Sequence, residues 1–311
     1  MNKFYKILIS IFFTFIIINI LNLNIINFVN SISFLHIMCL LLFFLISYLL
    51  SSLRFLIIIN FFDGYIKYSR SLILTIYQNF FNSLSITGSG EFVKFIKKNR
   101  INSFTMGASI IVEKLTGILA SLTIILFSTL YILFKLKYYT NSLFLIFILI
   151  TLILIYFLKI IFLNKIPYFH YIKKNFYKTD KKFSLINAIL ISIILQITSI
   201  LLYIILLKLN GIENTNYFVL AIIVPLINLA SAAPVSVSGI GVRDLSGIFL
   251  LSFISITPQI SANVTYTIGI FSILFPVFFL LLKFIIDALF VNFYISSRYD
   301  RGDRNPIKKI K

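Results

Sequence analysis

The chain has 311 residues, of which 60% are hydrophobic and only 12% are charged, and its mean hydropathy is +1.03. A soluble domain is about 45–50% apolar and needs a charged exterior, so this composition excludes an ordinary water-soluble fold. The net charge of +19 does not indicate a nucleic-acid-binding protein, because the basic residues lie in short segments between apolar runs rather than on one soluble face.

Six apolar runs have the length of membrane-spanning helices, which need about 17–25 residues. In chain order they cover residues 4–22, 33–59, 103–134, 141–163, 184–207 and 262–291. The sequence does not show the alternation of apolar and polar positions that is typical of transmembrane barrel strands. It therefore predicts an all-α polytopic membrane protein, in which residues 1–297 form a single transmembrane domain and residues 298–311 form a basic cytoplasmic tail.

Lysine and arginine are unevenly distributed between the loops, which sets the predicted orientation. With both termini in the cytoplasm, 20 of the 28 basic residues fall in cytoplasmic segments, and the outer loops hold Lys135, Lys137 and Lys208. This balance requires that segments 71–90 and 217–257 each enter and leave on one side. We therefore predict six full spans and two re-entrant hairpins that open toward opposite faces, as in the inverted repeats of transporters. If both arms of each hairpin cross the membrane instead, the number of spans is still even and both termini are still cytoplasmic.

Both predicted hairpins are interrupted by glycine and small polar residues. The first break contains Gly88 and Gly90, and the second contains Gly239 and Gly241, followed by Arg243. A helix that restarts after such a break directs unpaired backbone N–H groups and the positive end of its dipole toward the cavity, which favours phosphate binding. Arg243 adds a planar guanidinium that can form two parallel hydrogen bonds to the same group.

Charged residues within the predicted spans are costly in lipid and therefore indicate function. Glu113 and Lys114 lie ten residues into an apolar run, and Glu113 can pair with either Arg54 or Arg243. Glu91 has two interpretations. In the first, it forms an ion pair with a basic side chain that binds the head group. In the second, it only stabilises the start of an interfacial helix whose lysines face water.

Four short motifs resemble those of the flippase-like family, which includes the transmembrane region of lysylphosphatidylglycerol synthase. Gly239–Asp244 is similar to the family's GGlGvRE signature, and Gly90–Lys94 resembles its GGE-x-x-R element. Val112–Leu115 resembles its ER pair, and Leu53–Arg54 resembles its lRW element. The order and spacing of the motifs agree over roughly residues 40–290, which is nearly the whole chain.

The chain departs from the family pattern at several polar positions. Asp244 stands for a glutamate, and Lys94 and Lys114 stand for commoner arginines, which removes the bidentate geometry of a guanidinium. Ser85 and Phe55 replace a usual proline and tryptophan. The sequence carries no soluble aminoacyl-transferase domain, so we expect a stand-alone member that corresponds to the lipid-translocating part.

The resemblance implies translocation of an anionic or phosphate-linked lipid across a bacterial or archaeal cytoplasmic membrane. The expected head-group ligands are basic side chains and break glycines, namely Arg243, Lys94, Lys114, Gly239, Gly241, Gly88 and Gly90. The expected charge partners or proton carriers are the other charged residues of these motifs, namely Glu113, Glu91, Asp244 and Arg54. The expected partner is an anionic phospholipid or a polyprenyl-phosphate-linked lipid, with a homodimer left open. We expect no catalytic residue, cofactor, metal or nucleic acid.

Two other functions remain open from the sequence. The first is a membrane-embedded glycosyl or phosphoryl transferase acting on a lipid-linked substrate. Such enzymes typically need a paired-carboxylate, metal-binding outer loop or a cytosolic nucleotide-binding fold, whereas Glu213 is the single carboxylate in the predicted outer loops. The second is an accessory subunit for the synthesis of lipid-linked glycans or phospholipids. Translocation is the favoured interpretation.

Reporter fusions test the predicted orientation. Fusions at Asn24, Tyr139 and Asn214 should report the outer side, and fusions at Tyr168 and Lys311 the cytoplasmic side, because positively charged loops are retained in the cytoplasm. The measurement is the activity of a reporter that is active on one side of the membrane, compared with a reporter active on the other. A fusion at Lys311 that reports the outer side would contradict the whole layout.

Overall fold

The structure is a computed structural model of the chain. It describes residues 33–84, 90–96, 101–136, 175, 179–231 and 241–299. Several predictions fall outside the described residues. They are the spans at 4–22 and 141–163, the break glycines Gly88 and Gly239, and the tail beyond residue 299.

The described residues form eight helices and no strand, which confirms the all-α prediction for this part of the chain. In chain order the helices are α1 (Phe34–Phe61), α2 (Tyr68–Leu84), α3 (Glu91–Ile96), α4 (Ser103–Leu136), α5 (Thr179–Leu209), α6 (Tyr217–Ser231), α7 (Val242–Ser252) and α8 (Pro258–Tyr299). Long apolar runs favour helices in a bilayer because a helix satisfies its own backbone hydrogen bonds.

Four of these helices are long and apolar enough to cross a membrane, among the residues that the structure describes. The spanning stretches are Phe34–Phe61, Ser103–Ile132, Phe183–Leu209 and Pro258–Phe284. They agree with four of the predicted spans. Large apolar side chains on their outer faces are exposed, including Leu42, Phe127, Phe183 and Phe284. Such surfaces are unfavourable in water and are expected where a helix faces lipid.

The predicted segment 217–257 contains two shorter helices, whereas the predicted segment 71–90 contains most of α2 and ends just before α3 begins at Glu91. α2 and α3 flank residues 85–89, and α6 and α7 flank residues 232–240. α2 remains in contact with α3, and α6 remains in contact with α7. α3 and α7 each begin directly after a glycine, Gly90 and Gly241, and each packs against the helix that precedes it in the described chain.

Glycine at the end of the first break allows a close approach between helices. A Cβ atom at Gly90 would collide with backbone atoms of Gln78 and Asn82 on α2. The Gly90 N–H also donates a hydrogen bond to Asn82 Oδ1 at 2.9 Å. A larger residue at position 90 would therefore push α3 away from α2.

The contacts between helices repeat in two halves of the described chain, of which the first comprises α1 to α4 and the second α5 to α8. Within the halves, α1–α2 corresponds to α5–α6, α2–α3 to α6–α7, α3–α4 to α7–α8, and α1–α4 to α5–α8. Between the halves, α4–α5 corresponds to α8–α1 and α4–α6 corresponds to α8–α2, while α1–α5 maps onto itself. A two-fold internal repeat gives helix contacts that pair in this way.

The central pair of the repeat, α1 and α5, is antiparallel. Arg54, late in α1, contacts Ser192 in the first half of α5. Cys39, early in α1, lines a cavity of about 320 Å³ together with Thr198 and Leu202 near the end of α5. Two units that are related by an axis in the membrane plane run in opposite directions, so an antiparallel central pair favours an inverted repeat.

Chemical cross-linking tests the antiparallel packing. Cys39 is the single cysteine of the chain, so one added cysteine creates a defined pair. In the Thr198→Cys variant, a short bifunctional thiol reagent should join α1 to α5, because both positions line one cavity. Leu185→Cys, near the opposite end of α5, is the matched control and should not react with Cys39. A protease site inserted at Tyr168 makes the two halves separable on a gel unless they are cross-linked. Linkage through position 185 instead of 198 would contradict the arrangement.

Candidate functional site

A cluster of buried charges lies where α1, α3 and α4 meet. Glu113 on α4 accepts a hydrogen bond from Lys94 Nζ at 2.6 Å and another from Arg54 Nη2 at 3.2 Å. The Lys94 side chain has no exposed surface, and its Nζ lies 3.6 Å from the centroid of the Phe55 ring, which is a cation–π contact. Arg54 Nη1 also donates to Ser192 Oγ on α5 at 3.2 Å. The cluster therefore connects four helices.

The charges of this cluster do not balance. Among the described residues, two basic side chains, Arg54 and Lys94, share the carboxylate of Glu113, so the formal charge of these three groups is +1. Arg54 Nε is buried and has no hydrogen-bond partner among the described residues. An uncompensated charge in a low-dielectric interior is unfavourable, so the arrangement favours the arrival of an anion.

Local sequence explains how these side chains meet. Lys94 lies one turn into α3, whose start is held against α2 by the close approach at Gly90. Gly117 follows Glu113 by about one turn of α4 and faces Arg54, since a Cβ at Gly117 would lie 3.7 Å from Arg54 Nη1. The small residue leaves room for the guanidinium beside α4.

A second ion pair lies at the edge of the cluster. Lys114 Nζ is 2.5 Å from Glu91 Oε1, and the two side chains are 55% and 24% exposed. Glu91 is in the first turn of α3, where a carboxylate also interacts favourably with the helix dipole. The interpretation in which the lysines of this helix face water is wrong for Lys94, because contacts with Glu113 and α1 bury it completely.

Another charged pair, formed by Arg243 and Asp244, lies at the start of α7. Gly241 has a φ angle of +83°, a left-handed conformation that favours glycine, and its N–H donates to Asp244 Oδ2 at 3.0 Å. Arg243 Nε is 3.5 Å from Asp244 Oδ1, and both side chains are buried. A Cβ at Gly269 on α8 would collide with the Arg243 guanidinium, so this glycine provides the space that the guanidinium occupies.

Two tyrosines that the sequence did not single out lie near this pair. Tyr203 on α5 lies within electrostatic reach of Arg243 and Asp244, and Tyr266 on α8 within reach of Asp244. Sequence reasoning missed both, as well as Gly269, because a tyrosine or glycine in an apolar helix is common in membrane proteins. The repeat offers one signal for Tyr203. This residue lies on α5, which corresponds to α1, and α1 carries the predicted site residue Arg54.

The structure thus separates the predicted site residues into two groups. The sequence left Glu113 free to pair with Arg54 or with Arg243, and the structure pairs it with Arg54 and Lys94. Arg243 instead lies beside Asp244. Gly90 and Gly241 precede the helices that carry these groups, as predicted.

A polar network that the sequence did not predict connects α4, α5 and α6. Gln196 Nε2 donates to Ser121 Oγ at 2.8 Å. Asn228 Nδ2 donates to Gln196 Oε1 and to Ser199 Oγ, both at 3.1 Å. Because α4 belongs to one half of the repeat and α5 and α6 to the other, these hydrogen bonds join the two halves.

These features define the class of the protein. It is a multi-pass α-helical membrane protein with buried charges placed beside interruptions of its helices. In the part of the chain that the structure describes, no three histidine, cysteine or carboxylate side chains lie together as metal ligands would. What the cluster at Glu113 offers chemically is a set of basic hydrogen-bond donors with a formal positive charge.

The chain belongs to the family described as "Lysylphosphatidylglycerol synthase TM region", which it matches over residues 4–279. The resemblance drawn from the motifs is confirmed by this match. Comparisons with curated proteins and with solved structures found no match. Family membership associates the chain with lipid metabolism or transport in a membrane.

Stability measurements test the charge balance at Glu113. Glu113→Gln should lower the free energy of unfolding by about 3–5 kcal/mol, because Arg54 and Lys94 then stay buried without a counter-charge. Lys94→Met should be clearly less destabilising, since a neutral Arg54–Glu113 pair remains and methionine packs well on Phe55. Lys114→Met, in the partly exposed pair, is the matched control and should change stability by about 0–1 kcal/mol.

The measurement for these variants is thermal unfolding of the detergent-purified protein, with its abundance in the membrane recorded in parallel. Equal destabilisation by Lys94→Met and Glu113→Gln would show that the cluster carries no excess positive charge.

Proposed function

We propose that this protein translocates an anionic or phosphate-linked lipid between the leaflets of a bacterial or archaeal cytoplasmic membrane. The observation that carries the proposal is the buried cluster of Arg54, Lys94 and Glu113, which has two cations for one carboxylate beside a helix break. A net positive site inside an apolar helical fold suits an anionic head group. Membership of the lysylphosphatidylglycerol synthase TM family supports a lipid as the ligand.

The physical problem of lipid translocation explains why such a site is needed. A phosphate that enters the hydrocarbon core loses its hydration shell, and for an ion this loss costs many kcal/mol unless other groups replace the water. Basic side chains and the N–H groups at a helix start can replace it with fixed donors. Lys94 lies within the first turns of α3, which begins directly after Gly90.

In this proposal the two interrupted segments, α2–α3 and α6–α7, are re-entrant hairpins that open toward opposite faces of the membrane. The repeated helix contacts and the antiparallel α1–α5 pair support an inverted repeat. The basic residues near α2 and α3, and their scarcity near α6 and α7, support a cytoplasmic location for the first hairpin. Both termini are then cytoplasmic, and residues 1–297 act as one transmembrane domain.

The charge partners have distinct roles in this mechanism. Glu113 holds Arg54 and Lys94 when no lipid is bound, and an arriving phosphate competes with Glu113 for the same cations. The Lys114–Glu91 pair, at the exposed edge, is the first contact of the head group. Arg243, which lies beside Asp244, contacts the head group from the other half of the repeat. Transport requires no change in the covalent structure of the lipid.

A reconstitution experiment tests this function. Purified protein in liposomes should move a labelled anionic phospholipid or polyprenyl-phosphate derivative between leaflets without a change in its mass. Arg243→Lys should retain partial transport, because lysine keeps the charge but loses the bidentate geometry, and Arg243→Gln should lose transport. Lys208→Gln, an exposed residue at the end of α5, is the matched control and should transport normally.

The readouts are the fraction of label in each leaflet and the mass of the recovered lipid. Recovery of a chemically altered lipid, with a donor consumed in proportion, would show that the protein is a transferase instead. Full transport by Arg243→Gln would show that Arg243 does not contact the head group.

A further inference from the structure

Buried polar atoms without hydrogen-bond partners are concentrated at the start of α7. Seven such side-chain atoms occur among the described residues. Four of them are Arg243 Nε and Asp244 Oδ1, which lie 3.5 Å apart, Tyr266 Oη on α8, which packs against α7, and Tyr203 Oη on α5, which packs against α8. Folded proteins pair nearly all of their buried polar atoms, so a group of unpaired atoms in one place indicates a missing partner. The Glu113 cluster differs, because hydrogen bonds occupy both of its carboxylate oxygens.

The unpaired atoms include both donors and acceptors. Arg243 Nε can only donate, and Asp244 Oδ1, 3.5 Å away, can only accept when it is ionised. The hydroxyl groups of Tyr203 and Tyr266 can do either. Because the charges of Arg243 and Asp244 cancel, this group has no excess charge with which to attract an ion.

This combination discriminates between the chemical groups of a lipid head group. A phosphate oxygen can accept from Arg243, but it cannot donate to Asp244 and is repelled by its charge. An ammonium group can donate to Asp244, but it cannot accept from Arg243. A hydroxyl group can accept from Arg243 Nε and donate to Asp244 Oδ1 at the same time, and a second hydroxyl can pair with the tyrosines.

We propose that Tyr203, Arg243, Asp244 and Tyr266 form a hydroxyl-binding subsite that selects lipids with hydroxyl groups in their head group. This inference rests on the proposed function and deepens it by naming the class of substrate. The phosphate binds at the positively charged cluster around Glu113, and the uncharged hydroxylated part binds at the start of α7. The hydroxyls belong either to a glycerol head group or to a sugar on a polyprenyl phosphate.

The side chains of the subsite reach it from three helices that pack together. Arg243 and Asp244 follow Gly241 at the start of α7, Tyr203 comes from α5, and Tyr266 comes from α8. α8 contacts both α5 and α7. The subsite therefore changes shape whenever α7 moves relative to α8, which couples head-group binding to movement of the second interrupted segment.

Matched lipids test the subsite by direct binding. Phosphatidylglycerol and phosphatidylmethanol carry the same phosphodiester charge, but only the first has head-group hydroxyls. The detergent-purified full chain should bind phosphatidylglycerol more tightly, by about two- to tenfold for each hydrogen bond formed. Tyr203→Phe and Tyr266→Phe should each lower the ratio of the affinity for phosphatidylglycerol to the affinity for phosphatidylmethanol. Tyr65→Phe, an exposed loop tyrosine, is the matched control.

A second pair of lipids identifies the source of the hydroxyls. A glucosyl polyprenyl phosphate and a methyl polyprenyl phosphate have the same charge and differ in the sugar. A preference for the glucosyl lipid that Tyr203→Phe removes would assign the subsite to sugars. A preference confined to phosphatidylglycerol would assign it to glycerol.

Stability of the lipid-free protein separates a ligand-binding role from a structural role. Tyr203→Phe removes only a hydroxyl that is buried without a partner, so the melting temperature should stay the same or rise. A tyrosine that stabilised the fold through its hydroxyl would lower the melting temperature when replaced.

Failure of this inference is distinguishable from failure of the proposed function. Equal affinities of the wild-type chain for the hydroxylated and methylated lipid of each pair would overturn the subsite and show that its polar atoms are only hydrated. A binding preference without movement of any lipid in liposomes would overturn translocation and leave the subsite in place.

Discussion

Glu113 is a carboxylate buried among apolar helices, and the arrangement of the first half of the described chain depends on its two ion pairs. An ion in this environment is stable only with counter-charges and hydrogen bonds at short distance. Arg54 provides one from α1, and Lys94 provides the other from α3. The close approach at Gly90 brings α3 to the position where Lys94 can reach α4. The same interaction that fixes these helices gives the three groups a formal positive charge, so the packing of the fold and the charge of the proposed site have a common origin.

The two halves of the repeat share their helix contacts but differ in chemistry. The first half carries a cluster with excess positive charge, and its carboxylate is fully hydrogen bonded. The second half carries a neutral Arg243–Asp244 pair with unpaired polar atoms around it. A lipid head group also has two chemically different parts, a charged phosphate and an uncharged substituent. Divergence of two structurally related halves can therefore supply one site for each part.

Glycines position both charged groups, because the absence of a side chain allows close contact between neighbouring segments. Gly90 permits backbone contact between α2 and α3, and Gly269 leaves the space that the guanidinium of Arg243 fills. Gly241 adopts a backbone conformation that other residues rarely adopt, which lets Asp244 accept from its N–H. In an apolar helical bundle, close backbone approach is the main way to bring polar side chains together away from water.

The sequence by itself determined the helical membrane fold and the family. Long apolar runs in a bilayer form helices because no water is available to satisfy the backbone. Charged residues in such runs are candidates for a functional site, because placing a charge in lipid costs free energy. Only the tertiary structure decided which charges pair, because Glu113 is 59 residues from Arg54 and 19 from Lys94, and sequence separation does not encode which helix faces meet. It also buried Lys94 rather than exposing it to water, and it brought Tyr203 and Tyr266 to Asp244. A tyrosine in an apolar helix gives no signal until its neighbours are known.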